Sequence, residues 1–393
     1  MKVTIIGPAY PLRGGIAHHV YYLRRELTER GHSVQVISFR KLYPGLLFPG
    51  KTELDTSASR LDAKGVSLLS PLNPLAWARG YRAVKSFSPD VVIFQWWHPF
   101  FALMVGTLAR MFHKTGLKCI LECHNVFPHE SSPFDRLLLK FAAKPFDSFI
   151  THSSSDRSDL LPFAPGKRIS VSPLPIPSEF SGAANQTRNG RTILFFGMVR
   201  KYKGLDVLLR AMPKVLAHNE CRECRLLIAG EFYDSVDKYR KLIRAYGLEQ
   251  HVSIDNRYIP NEEIAGIFDR VDVLVLPYLN ATQSAVAGIA LSNALPLIAS
   301  RSGGLSEIVI ENVNGLLFPV GDSDALAEKI IFYFSNNLGP VFAQNLLSGV
   351  TQGREQLGKV IEEMVRDDHA EALPDDAGPG ADSRAGNSQG LRC

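Results

Sequence analysis

A chain of 393 residues is long for one domain and points to two. With 45% hydrophobic and 21% charged residues it is an ordinary soluble globular sequence. Its formal net charge of +5 is mild. It is compatible with an anionic ligand or a membrane surface, but many ordinary cytoplasmic enzymes carry the same charge and that reading is preferred; no nucleic-acid partner is expected.

Five cysteines are too few and too odd a number for a disulfide framework, and they fit a reducing compartment. Cys221 and Cys224 form one C-x-x-C with no second pair at a zinc-binding spacing, so no metal is expected. The opening MKVTIIG does not read as a secretory leader, because its apolar run stops at Gly7. The most apolar region, Val91 to Phe112, is interrupted by Gln95, His98, Pro99 and Arg110, so no membrane-spanning helix is expected.

KVTIIG reads as a buried strand. The loop PAYPLRGG follows it. A helix comes next, with Ile16, Val20, Leu23 and Leu27 on one face and Gly31 at its end. SVQVISF, VVIF, KCILEC and SFIT repeat the strand signal, with helical or turn residues between them. This alternation predicts parallel strands joined by crossover helices. The polar stretch GAANQTRNGR, 182–191, is the expected domain boundary. The pattern then restarts with TILFFG and a helix lined by Leu205, Leu208, Leu209, Met212 and Val215. RLLIAG, HVSI, DVLVLP and LPLIAS are the further strands.

The fold expected is therefore α/β. Two tandem Rossmann-like domains, 1–181 and 190–366, would face each other across a cleft at the strand C-termini. Leu357, Val360, Ile361 and Met364 mark a last amphipathic helix. Residues 367–393 have almost no large apolar side chain and are expected to be a disordered tail.

Four stretches carry candidate chemistry. Gly14 and Gly15 open the first helix, where bare backbone N–H groups can approach an anion; a plain strand–helix turn is the alternative. Arg200, Lys201 and Lys203 gather in the loop after TILFFG, suited either to a pyrophosphate or to simple solvation. His124 ends a strand beside Asn125, with His129 and Glu130 in the same loop. It is read as a cleft residue or as a structural core histidine. Glu307 follows the glycine pair of RSGGLSEIV in the first turn of a helix, where simple capping also explains it.

Taken together, these stretches resemble glycosyltransferase family 4, enzymes with the two-Rossmann GT-B fold that use nucleotide-sugars. The resemblance rests on Gly14-Gly15, His124, Lys203-Gly204, PLIASRSGGLSEIV and NGLLFPVGDSDALAEKI in this order, over roughly residues 1–335. It implies an N-terminal acceptor domain and a C-terminal donor domain. It also implies retention of configuration at the transferred sugar, a glycan or lipid-linked acceptor, and a cell-surface product. The nucleotide-diphospho-sugar would be a substrate, with no cofactor or metal. The expected location is cytoplasmic, with peripheral attachment to the inner membrane face left open.

The sequence departs from the family pattern in the donor helix. The usual pair of glutamates, counted back from Pro296, would fall at Ala281 and Ile289. The arginine commonly found after Gly197 is Met198, which leaves Arg200 as its candidate substitute. His124 is the expected catalytic residue. Backbone N–H groups at Ser284, Ala285 and Val286, with the hydroxyls of Thr282 and Ser284, would then stabilise the leaving diphosphate. Glu307 is the candidate for the vacant ribose contact. Two rival readings remain: a GT-B-shaped binding protein without catalysis, and a nucleotide-sugar epimerase.

Overall fold

In the computed structural model, residues 1–43, 52–128, 132–175, 179–182, 188, 190–233, 235–349 and 357–370 are described, the last four by backbone alone. The first sheet contains β1 (Lys2–Ile6), β2 (Ser33–Phe39), β3 (Val66–Leu69), β4 (Val91–Trp96), β5 (Lys118–Cys123), β6 (Ser148–Thr151) and β7 (Arg168–Val171). The second contains β8 (Thr192–Phe196), β9 (Arg225–Ala229), β10 (Val252–Asp255), β11 (Val273–Leu276), β12 (Leu297–Ser300) and β13 (Gly315–Phe318).

The spatial orders are β3-β2-β1-β4-β5-β6-β7 and β10-β9-β8-β11-β12-β13. All pairings between these strands are parallel. Helices cover both faces of such a sheet, so the central strands are unbroken apolar runs: β4 and β11 are buried at every residue. The architecture is the expected pair of Rossmann-like domains. Strand order reverses between β1 and β4 and again between β8 and β11, which opens a crevice at the carboxyl ends of both sheets.

The first helix, Gly15–Glu29, buries Val20, Leu23 and Leu27 as its periodicity predicts. The Leu205–Ala217 helix buries Leu205, Leu208, Leu209, Met212 and Val215. Three strands escaped the sequence reading: β3, β7 and β13. Each is an edge strand of four residues; β3 and β7 are only half-buried, so neither length nor apolarity marks them, while β13 is buried throughout but too short to stand out.

Arg188, between the domains, is buried and donates to the carbonyls of Phe268, Val271 and Asn293 at 2.7, 2.5 and 2.6 Å. The last helix, Leu357–Ala370, returns to the first domain although it follows the second in sequence. Leu357, Val360, Ile361 and Met364 join the core around Val20, Leu23 and Leu27. Glu362 accepts from Arg30 at 2.9 and 2.7 Å and pairs with His32 at 2.8 Å. Of the expected tail, 367–370 continue this helix in backbone; residues 371–393 lie outside the described residues. No helix among the described residues is long and apolar enough to cross a membrane.

Candidate functional site

A cavity of about 430 Å³ lies where the two crevices meet. Its walls come from both domains: Arg13, Gly14, Gly15 and His18 on one side, and Gly197, Lys203, Glu231, Tyr278, Ser284 and Val286 on the other. A smaller cavity of about 200 Å³ continues from it, lined by His19, His124 and Asn125.

Close backbone approaches shape the second domain's wall. Gly204 has φ 67°, and a Cβ there would stand 1.9 Å from the carbonyl oxygen of Pro277. The lysine loop can thus lie against the loop after β11 only with glycine at this point. Gly303 has φ 44°, and its Cβ would meet the carbonyl of Ala281 at 1.7 Å. This holds the Ala281–Ser284 loop in place. Ser284 caps the Ala285–Ser292 helix, accepting from Ala287 N at 3.2 Å. The N-terminus of that helix, with its bare N–H groups, therefore faces the cavity.

Lys203 lines this wall with only 8% of its surface exposed. Among the described residues it has no carboxylate partner; its ammonium stands 5.6 Å from the Tyr278 ring centre. Burial, with Arg200 nearby, pulls its pKa below the ordinary lysine value, although Tyr202 acts the other way. A buried cation without an anion beside a cavity is costly until an anion fills that cavity.

The first domain contributes a buried histidine cluster. Glu122 at the end of β5 is fully buried. Its Oε1 contacts His19 Nε2 at 2.6 Å, and its Oε2 accepts from Gln95 Nε2 at 2.6 Å. Because a carboxylate only accepts, the Gln95 amide nitrogen faces Glu122 and its oxygen faces His124. His124 therefore donates from Nε2, at 2.5 Å, and Nδ1 holds the lone pair. His152 donates from Nδ1 to Ser172 O at 2.7 Å, and its Nε2 lies 3.4 Å from Glu122.

Burial pushes the Glu122 carboxyl upward, but the neighbouring His19 and His152 more than reverse this and hold it well below the usual range. Burial, reinforced by His19 and His152, holds His124 well below the ordinary histidine value, so it is neutral.

Donor atoms of His19, Glu122, His124 and His152 lie within 4.8 Å of one another, and their types would suit a metal ion. Two features argue against that use. Both Glu122 oxygens are already hydrogen-bonded, and a His19 ligating through Nε2 would leave its buried Nδ1 proton without an acceptor. The cluster instead works as a hydrogen-bonded chain that orients His124.

Most of the residues singled out in sequence meet here. Gly14, Gly15, Lys203, Ser284, Ala285 and Val286 line the larger cavity, and His124 lines the smaller. Thr282 donates to Asn125, tying the donor-side loop to the loop that carries His124.

Thr282 itself, Lys201, Arg200 and Glu307 line neither cavity. Arg200 lies over the Tyr233 ring at 4.6 Å. Glu307 is exposed and accepts from the backbone N of Ser154 at 3.0 Å, capping a first-domain helix across the interface. Its proposed ribose contact gains no support from this geometry, because its carboxylate is already engaged outside the cavity. His129 and Glu130 lie outside the described residues.

Sequence reading missed His19, Gln95, Glu122, His152, Arg13 and Glu231. Glu122 carried a signal, as a lone carboxylate inside the buried strand KCILEC. His19 also did, as a histidine on the buried face of its helix.

Comparison with known proteins agrees with this architecture. The family described as "Glycosyltransferase Family 4" matches residues 13–180, and "Glycosyl transferases group 1" matches residues 190–336. D-inositol 3-phosphate glycosyltransferase of Corynebacterium diphtheriae is 30% identical over 148 residues, 36% of this chain and 34% of that protein. The chain thus aligns with about a third of the length of such relatives.

Two solved structures share the fold at low identity. Sucrose-phosphate synthase of Thermosynechococcus elongatus superposes with a TM-score of 0.73 at 17% identity, covering 95% of this chain and all of that one. HepE of Anabaena, solved with UDP-glucose, superposes at 0.69 and 15% identity, covering 94% and 100%. The first domain thus matches one glycosyltransferase family and the second domain another, and together they form the GT-B fold shared with these two structures.

Proposed function

We propose that this protein transfers a sugar from a nucleotide-diphospho-sugar to a glycan or lipid-linked acceptor, with retention of the anomeric configuration. One observation carries the reading. Lys203, a buried cation without a carboxylate partner among the described residues, lines a cavity that the Ala285–Ser292 helix enters by its N-terminus. Both features favour a diphosphate, and both act more strongly as negative charge grows on the leaving group. HepE, solved with UDP-glucose, supports a donor of this class, and the D-inositol 3-phosphate glycosyltransferases matched in sequence support sugar transfer.

In this reading the donor lies in the larger cavity and the acceptor enters by way of the smaller one. No carboxylate of the Ala285–Ser292 helix acts as a nucleophile, since that helix has none. The departing phosphate oxygen takes the acceptor's proton on the same face, and the protein stabilises the diphosphate. Among the described residues Glu231 is the carboxylate lining the larger cavity, and we assign it, in place of Glu307, to the donor's hydroxyls. Neutral His124, oriented by Gln95, presents Nδ1 as an acceptor for a sugar hydroxyl.

A second reading is favoured by Ile289, which lines both cavities where a donor-binding glutamate would be expected. That reading is a binding protein without turnover. Calorimetry with nucleoside diphosphates and their sugars, followed by NMR of any product, separates the two. Binding with a product of retained anomeric configuration supports transfer, and binding without turnover supports the second reading. Absence of diphosphate binding, or an inverted product, refutes the proposal.

A further inference from the structure

The Pro133–Ala143 helix breaks the usual rule that a surface helix turns its polar side to water. It buries Leu139, Ala142 and Ala143 against the first domain. The opposite side is also apolar: Phe134 is 75% exposed and Leu137 65%, and Phe141 is exposed as well. The spacing of 134, 137 and 141 puts all three on one stripe. A helix that is apolar on both sides belongs inside a protein or at an apolar boundary. On this helix, however, one side has no protein cover among the described residues.

The stripe has basic edges. Lys140 and Lys144, both exposed, stand four residues apart beside it. The Lys167 ammonium donates to the Lys144 carbonyl at 2.8 Å, adding a third cation. Arg110, from the neighbouring Ala102–His113 helix, stacks 3.9 Å from the Phe141 ring centre and donates to the Phe141 carbonyl at 2.6 Å. Arg136 lies over the Phe127 and Phe163 rings at 5.7 and 5.8 Å. Leu103 and Leu161 extend the exposed apolar surface on the adjoining segments.

The nearby acids do not cancel this charge. Asp135 is engaged in the capping box of the same helix, and Asp147 accepts from Cys119 N at 2.7 Å. An apolar aromatic centre with a basic rim is complementary to an anionic phospholipid surface: acyl chains take the Phe and Leu side chains, and headgroups take the cations.

We propose that the exposed face of the Pro133–Ala143 helix docks this protein on an anionic phospholipid bilayer. The loop carrying His124 runs toward this helix, and Phe127, three residues past His124, lies under the Arg136 guanidinium. Docking would therefore hold the smaller cavity's loop close to the membrane, where a lipid-linked acceptor resides. In that respect the inference rests on the proposed function. The docking itself does not, and its test uses neither donor nor acceptor.

Full-length protein is floated with phosphatidylcholine vesicles, alone or with about one-third phosphatidylglycerol. Binding is expected to the mixed vesicles and to weaken with added salt. The double variant Phe134→Ser, Leu137→Ser is expected to lose roughly tenfold or more in affinity. Lys140→Gln and Lys144→Gln are expected to lose roughly fivefold each. Phe332→Ser, on an exposed apolar residue of the second domain, is expected to bind as the parent does. Melting temperatures should be unchanged, since all these side chains face solvent.

The lysine variants keep the test informative even if the apolar variant misfolds. Failure to bind mixed vesicles, or equal binding by the parent and the stripe variants, overturns the proposal. So does a dimer that the double variant abolishes in the absence of vesicle binding, because a second copy would then be the occupant. A protein that transfers sugar to a soluble acceptor yet ignores vesicles would refute the docking and leave the transferase reading standing.

Discussion

Arg13 and Glu231 meet across the cleft at 2.6 Å, one from each domain, both nearly buried beside the larger cavity. The Arg13 guanidinium also lies 4.9 Å from the Tyr258 ring centre. The pair therefore ties one domain to the other at the wall of the larger cavity. Removing one partner leaves a buried charge, so Arg13→Met and Glu231→Met should each cost about 3–5 kcal/mol in urea unfolding. The double variant should cost clearly less than their sum. Additive losses would show that the two side chains act independently.

Lys203→Ala should lower turnover about 10²–10³-fold and weaken nucleoside-diphosphate binding, as loss of one preorganised donor does. Its effect on stability should be small or favourable, since a desolvated cation that pairs with no carboxylate among the described residues is removed. Calorimetry and a thermal melt on the same preparation check both halves. Unchanged diphosphate affinity would mean that the cavity holds something else.

The histidine cluster should make the first domain acid-sensitive. His124 is neutral in the fold with its pKa depressed, while the unfolded chain takes up a proton near 6.5. As pH falls below 6.5 the unfolded state therefore binds more protons, and stability drops. His124→Asn should flatten that fall in urea titrations run at successive pH values. In transfer assays the same variant should lose most of its turnover at neutral pH with little loss of stability. Normal turnover from the folded fraction would make His124 a structural residue.

Glu362 fastens the last helix to the first domain through Arg30 and His32. Its hydrogen bond from Arg30 and the neighbouring charges lower its pKa to about 2, against an ordinary value of 4.5. The stability it adds is thus fully present above 4.5 and lost as pH falls through about 2. Glu362→Gln should cost about 1–3 kcal/mol at neutral pH and remove that part of the acid sensitivity. Proteolysis near the last helix should also quicken. An unaltered digestion pattern would mean that apolar packing alone holds the helix.

The two-domain organisation, the parallel α/β class and most of the central strands were legible in the amino-acid pattern alone. Strands such as VVIF and DVLVLP, buried on both faces, need apolar side chains throughout, and that leaves a pattern visible without coordinates. The amino-acid pattern also placed Lys203 and the Gly14–Gly15 turn at strand ends, because loops that carry ligands follow buried strands. The edge positions of β3, β7 and β13 came only from the fold: β3 and β7 are short and half-covered, and β13, though buried, has just four residues. Only the tertiary structure joined Glu122 to His19, Gln95 and His152, and Arg13 to Glu231, since these partners lie between 27 and 218 residues apart. Hydrogen bonds and ion pairs act over a few ångströms of space, whatever the separation along the chain. For the same reason Glu307, a plausible ligand in sequence, belongs to an interface, and the last helix belongs to the first domain.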